Sequence, residues 1–151
     1  MSFTNPRLDE IAPVGGGQGG TDGLTLTADV FEDGLVVGRF AKLDAGSIDN
    51  LDASVTPVIA GVVLRNVVGA IEEGGTIDAS IHQQIEYKRE GLVTVEVVTG
   101  QTPVQFGAVS VHNVADANAG KALATGGVAV NAEFIHEVKT DVWLVNLFNG
   151  V

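Results

Sequence analysis

The chain has 151 residues, 45% of them hydrophobic, which suits one folded domain and excludes disorder over most of its length. Its net charge is −11, from 8 basic and 19 acidic residues with no cluster of Lys and Arg, so nucleic acid is not expected as a partner. The absence of cysteine excludes disulfides and thiolate chemistry, and no apolar run approaches the ~20 residues of a membrane-spanning helix.

The first 23 residues lack the apolar alternation of the rest of the chain. They contain two prolines and a glycine-rich run at residues 15–20, which is typical of an extended arm. No secretory signal is recognisable there, so cytoplasmic synthesis is expected. We therefore divide the chain into an N-terminal arm, residues 1–23, and a β-domain, residues 24–151. Because the arm has no core of its own, it must take its contacts from elsewhere, and its candidate contact residues are Phe3, Leu8, Ile11 and Val14.

Beyond the arm, apolar and polar residues alternate in short runs that are separated by glycine and polar turns. This pattern, with 20 glycines and many β-branched residues, predicts an all-β fold of nine or ten strands, a small β-barrel or β-sandwich. The predicted strands are residues 24–30, 35–43, 58–68, 80–88, 91–99, 107–114, 121–125, 132–139 and 141–148.

The turn residues between these runs suggest how the strands pair. Residues 24–43 are predicted to form one hairpin, and the runs at 80–88 and 91–99 a second hairpin around Arg89 and Glu90. In the run at 91–99, Val93, Val95 and Val97 are expected to point inward, and Thr94 and Glu96 outward. Residues 44–56 and 115–120 are expected to be polar surface loops.

The last two strands are expected to meet at Thr140. The final strand is apolar on both faces except at Asn146, so it is predicted to lie centrally in a sheet or at a subunit contact. Its aromatic residues Trp143 and Phe148 favour a core position, although both are also candidate contact residues.

No pattern in the sequence marks a catalytic or cofactor-binding site. The run at residues 15–20 has the G-x-G-x-x-G spacing, but a phosphate-binding loop needs a preceding strand and a following helix, and neither is predicted. No Gly-x-Ser-x-Gly elbow marks a serine nucleophile, and the adjacent Glu72 and Glu73 fall in a turn, where their side chains diverge. We expect no enzyme activity and no cofactor.

Two groups of residues raise the question of a metal site. The loop aspartates Asp44, Asp49 and Asp52 offer the oxygen ligands that calcium prefers, but their spacing matches no EF-hand, so an ordinary solvated loop is favoured. The three histidines are far apart in sequence and are expected as surface or cross-strand residues. They are His82, His112 and His136.

Several runs of small and β-branched residues carry a family resemblance: VGRFAKLD at 37–44, TPVIAGVVLR at 56–65, GLVTVEV at 91–97, FGAVSV at 106–111 and GKALA at 120–124. With the hydrophobic C-terminal strand, these runs resemble the cement or capsid-decoration proteins of tailed bacteriophages. The resemblance covers residues 24–148, which is nearly the whole predicted β-domain.

This resemblance implies a structural protein that is made in the host cytoplasm and binds the outer surface of the phage head. It implies a small β-domain without a cofactor and the major capsid protein as a partner. It also implies self-association, for which we expect a homodimer or homotrimer.

Two alternatives come from other functional classes. A carbohydrate-binding or adhesin-like β-module would need an aromatic platform, which one Trp and one Tyr supply poorly. A trimeric nucleotide hydrolase of similar length would need phosphate-binding glycine and serine motifs, which are not found.

Overall fold

The structure of the chain is a computed structural model, which describes residues 24–30, 34–52, 57–64, 76–77 and 84–148. Within these ranges the chain forms twelve strands and no helix, which confirms the prediction of an all-β fold. No helix that could cross a membrane occurs among these residues. The strands are β1 (Thr25–Val30), β2 (Leu35–Val36), β3 (Phe40–Asp44), β4 (Ser47–Asp49), β5 (Ile59–Val63), β6 (Thr76–Ile77), β7 (Gln84–Lys88), β8 (Gly91–Glu96), β9 (Ala108–Val111), β10 (Ala122–Leu123), β11 (Val128–Lys139) and β12 (Val142–Leu147).

The strands form a closed barrel, a second sheet and a short ribbon. The barrel has the order β1-β4-β3-β5-β7, in which only the β1–β4 pair is parallel. The second sheet has five antiparallel strands in the order β10-β9-β11-β12-β8, and the ribbon pairs β2 with β6. The two larger units follow each other along the chain, since the barrel ends with β7 and the second sheet begins with β8.

One apolar core is shared between the barrel and the second sheet. Phe40 and Val62 from the barrel lie in the same buried cluster as Phe134 and Val145 from the sheet. A second cluster fills the barrel itself, around Ile48, Val63, Ile85 and their neighbours. The chain therefore buries both faces of β5, whose five residues are all buried.

Backbone contacts hold the two units together beside this core. Gly120 O accepts a 2.8 Å hydrogen bond from Phe40 N, and Gly38 O accepts a 3.0 Å bond from Glu96 N. A Cβ atom at position 120 would lie 2.3 Å from Phe40 O, so only glycine allows this approach. These bonds fix the turn before β3 against β8 and against the loop that precedes β10.

Both predicted hairpins in the first two thirds of the chain are wrong. β1 pairs with β4 and β7 rather than with the strands that follow it, and residues 35–43 are divided between β2 and β3. β7 belongs to the barrel and β8 to the second sheet, so the chain crosses between the two units at Arg89 and Glu90. Alternation of apolar residues identifies a strand but contains no information about its partner.

Two further expectations need correction. The loop predicted at residues 44–56 contains β4, which a tight turn at Ala45 and Gly46 joins to β3. Thr94 was expected to point outward, but it is fully buried. The reason is that β8 is covered on both sides in this fold, so its outward positions are not all exposed.

The C-terminal part of the chain follows the prediction closely. β11 and β12 pair as a hairpin across Thr140, and Asp141 supplies the positive φ of 58° that the tight turn requires. β12 lies between β11 and β8, which confirms that the final strand is central. The segment 115–120 is a polar loop, as expected.

We expect Gly61→Ala to destabilise the fold more than Gly46→Ala. A Cβ atom at Gly61 would lie 2.1 Å from Lys88 O, inside the barrel, so β5 and β7 would have to separate. Gly46 also has a positive φ, of 89°, but open space around it. In urea unfolding, the loss should be about 3 kcal/mol at position 61 and about 1 kcal/mol at position 46. Equal losses would show that the close approach of β5 and β7 is not a constraint.

Candidate interaction surfaces

The predicted contact residues are dispersed, and four of them lie outside the described residues: Phe3, Leu8, Ile11 and Val14. Trp143 is half-buried and packs on the shared core, with its ring edge-on to Phe134 at a centroid distance of 5.5 Å and an interplanar angle of 76°. Phe148 follows β12, is 39% exposed, and donates a 2.9 Å backbone hydrogen bond to Asn131 O. Phe148 is therefore accessible to a partner, whereas Trp143 contributes mainly to the core.

The loop aspartates that were considered as calcium ligands lie around a lysine. The Lys42 ammonium group donates a 2.7 Å hydrogen bond to Asp52 Oδ2 and lies 4.0 Å from Asp44 Oδ2. The hydrogen bond to Asp52 is the main cause that raises the pKa of Lys42, and the charges of Asp52, Asp44 and Asp49 act in the same direction. The positive charge among these carboxylates is therefore supplied by the Lys42 side chain.

The structure describes two of the three histidines, His112 and His136. His112 Nε2 lies 3.0 Å from both carboxylate oxygens of Asp116, four residues later, a pair that the sequence analysis missed. The hydrogen bond with His112 is the main cause that lowers the pKa of Asp116, and the hydrogen bond from Asn118 N is the second. His136 is exposed, and His82 lies outside the described residues. No group of three His, Asp or Glu side chains within the described ranges is arranged to bind a metal ion.

A charged cleft of about 310 Å³ lies where the barrel meets the second sheet. Arg39 Nε donates a 2.7 Å hydrogen bond to Glu96 Oε2, and its Nη1 donates a 2.9 Å bond to Ala117 O. Lys121 Nζ lies 3.9 Å from the same Glu96 oxygen. Since Arg39 and Glu96 are 57 residues apart in sequence, this ion pair fastens the two units to each other.

The most exposed apolar side chains were not predicted as contact residues. Val104 is 65% exposed and Phe106 is 66% exposed, both in a turn before β9. Gly107 N donates a 2.9 Å hydrogen bond to Val104 O, which makes Phe106 the third residue of a four-residue turn. Its φ is 62°, a conformation that costs a bulky residue about 1–2 kcal/mol and that Gly or Asn adopts readily. No sequence signal marks this exposure, because Val104, Gln105 and Phe106 alternate between apolar and polar as in a half-buried strand.

We expect the stabilising effect of Asp52 on Lys42 to disappear at alkaline pH. A raised pKa means that this stabilisation is complete below the pKa of an unfolded lysine, ~10.4, and is lost as pH rises through the folded value. The difference in unfolding free energy between the wild type and Asp52→Ala should therefore be constant from about pH 7 to about pH 10, and shrink above that.

The matched control is Asp44→Ala, which removes a more distant and more exposed carboxylate and should have a smaller effect throughout. A difference for Asp52→Ala that grows with pH above ~10.4 would contradict the assignment.

The chain was compared with protein-family models, with curated proteins and with solved structures. No family model and no curated protein matches it. Among solved structures, it is similar to a chain in the capsid of Myoviridae phage XM1, with 35% sequence identity and a TM-score of 0.83. The match covers 100% of both chains. At this identity and coverage the likeness extends beyond a shared fold, and the chain belongs to a family of bacteriophage capsid proteins that is represented in the capsid of phage XM1.

Proposed function

We propose that this chain is a structural decoration protein that binds the outer surface of the phage head and stabilises the shell against the pressure of the packaged DNA. The observation that carries the proposal is the full-length similarity to a chain of the phage XM1 capsid. The proposed partners are the major capsid protein and further copies of the chain, as a homodimer or homotrimer. The role is structural and requires no catalysis, and the protein is made in the host cytoplasm before it joins the virion.

The charge of the chain supports an outer position. With a net charge of −11, the protein would repel the phosphates of packaged DNA, which favour surfaces that gather Lys and Arg. Three of its eight basic residues, Arg39, Lys121 and Lys139, line the charged cleft, where they face Glu96 and Asp141. A protein with this balance is suited to the solvent side of a shell.

The aromatic residues argue against the carbohydrate-binding alternative. Tyr87 is buried in the barrel, and Trp143 packs edge-on against Phe134. A sugar-binding platform needs an exposed aromatic face, and neither the single Trp nor the single Tyr provides one. Of the two exposed Phe side chains, Phe106 lies in the turn before β9 and Phe148 directly follows β12, so they do not share one strand face.

We expect the purified full chain to co-sediment with phage heads that lack it and to raise the temperature at which those heads release their DNA. Binding that occurs only to the folded particle stabilises it by mass action, so the release temperature should rise with protein concentration. Co-sedimentation and DNA release can be followed on the same samples.

The N-terminal segment, residues 1–23, gives the matched variant, because we propose that it is an arm that contacts the shell or a neighbouring subunit. A chain that starts at Leu24 should unfold at nearly the same temperature as the full chain but bind heads more weakly. Absence of binding by the full chain would contradict the decoration role. A large drop in melting temperature with unchanged binding per folded molecule would instead show that the arm packs on its own domain.

A further inference from the structure

Two segments of the second sheet and its loops contain no charged residue. Residues 97–111 and 122–132 contain none of the chain's 27 Asp, Glu, Lys and Arg residues, although the net charge is −11. The two segments lie side by side, because Gln101 Oε1 accepts hydrogen bonds from Ala124 N at 3.0 Å and from Thr125 N at 3.3 Å. β9 also pairs with both β10 and β11. We call the exposed residues of these two segments the uncharged face.

The uncharged face has a protruding apolar turn beside a hollow. The turn presents Val104 and Phe106, the two most exposed large apolar side chains among the described residues. The hollow has a volume of about 390 Å³, and all its lining residues are uncharged, among them Thr102, Ala108 and Thr125. Two carboxylates border the face: Glu133 is the cross-strand partner of Ala108, and Asp141 accepts a 2.7 Å hydrogen bond from Thr99 Oγ1.

The conformation of the turn indicates that the Phe106 side chain does not stabilise the fold of its own chain. Its φ of 62° is one that Gly or Asn would adopt without strain, and its side chain is mostly exposed, so the isolated domain gains little from a phenylalanine. The backbone around it is well fixed, since Phe106 N donates a 2.6 Å bond to Phe134 O and Phe134 N donates a 2.9 Å bond to Gly107 O. A rigidly presented aromatic side chain is typical of an interface hot spot.

We propose that the uncharged face is the contact between copies of this chain, with Phe106 and Val104 as its anchors. The choice of a second copy rests on charge. Two copies of net charge −11 repel each other through any face that carries its share of carboxylates, whereas the uncharged face brings no like charges together. A different protein could present basic residues that complement the carboxylates of this chain. Its binding would therefore not require a surface without charged residues. The inference names the surface for the self-association included in the proposed function.

The test measures self-association of the full chain by sedimentation over a range of concentrations, with Phe106→Asn as the main variant. Asn tolerates the positive φ and removes the apolar ring, so the domain should stay folded while the dissociation constant of the oligomer rises about tenfold or more. Thr102→Glu, which places a carboxylate on the same face, should act in the same direction.

Two controls separate the face from general effects. Ala45→Asn introduces an asparagine at another exposed residue with positive φ, 47°, in the turn between β3 and β4. Val58→Asn removes another exposed apolar side chain, which is 59% exposed. Both should leave association unchanged.

The proposal is overturned if the wild type stays monomeric at every concentration or if Phe106→Asn associates as the wild type does. Binding to phage heads is measured in parallel. Loss of head binding by Phe106→Asn with intact self-association would assign the face to the shell instead. Self-association through Phe106 in a protein that binds no heads would refute the decoration role but support this inference.

Discussion

The fold depends on one shared apolar core, in which the second sheet packs against the barrel. Phe134 and Val145 come from the sheet and Phe40 and Val62 from the barrel, and all four are buried in one cluster. Because each unit alone would expose this apolar surface to water, the core explains why strands separated by long stretches of sequence stay together. The Arg39–Glu96 ion pair and the Phe40–Gly120 hydrogen bond then fix the orientation of one unit against the other.

Burial of the inner faces leaves the outer surface free to serve assembly. The chain has a net charge of −11, and no group of three His, Asp or Glu side chains among the described residues is arranged to bind a metal ion. The Lys42 and His112 clusters stabilise local turns and loops through their own carboxylate partners, Asp52 and Asp116. On the uncharged face, Phe106 is 66% exposed and has a φ of 62°, which Gly or Asn would adopt without strain.

Sequence alone predicted the strands well and their pairing poorly. Alternation identified β7, β8 and β12, because buried and exposed positions differ in residue type. It could not show that β1 pairs in parallel with β4, since partner choice depends on the cluster that fills the barrel, where Val30 and Ile48 are buried, and on turns such as Ala45–Gly46. The exposure of Phe106 was equally hidden, because a phenylalanine next to a β-strand is ordinarily a core residue. The family resemblance pointed to a phage capsid protein, which no side-chain pattern could indicate and which the similarity to a chain of the phage XM1 capsid supports.

A cryo-EM reconstruction of the intact phage head that contains this chain would show whether it coats the outside of the shell, as we propose. We predict density for the barrel and the second sheet on the outer surface of the shell, in groups of two or three copies. Density on the inner surface, density that forms the continuous shell itself, or absence of the chain from the mature head would contradict the claim.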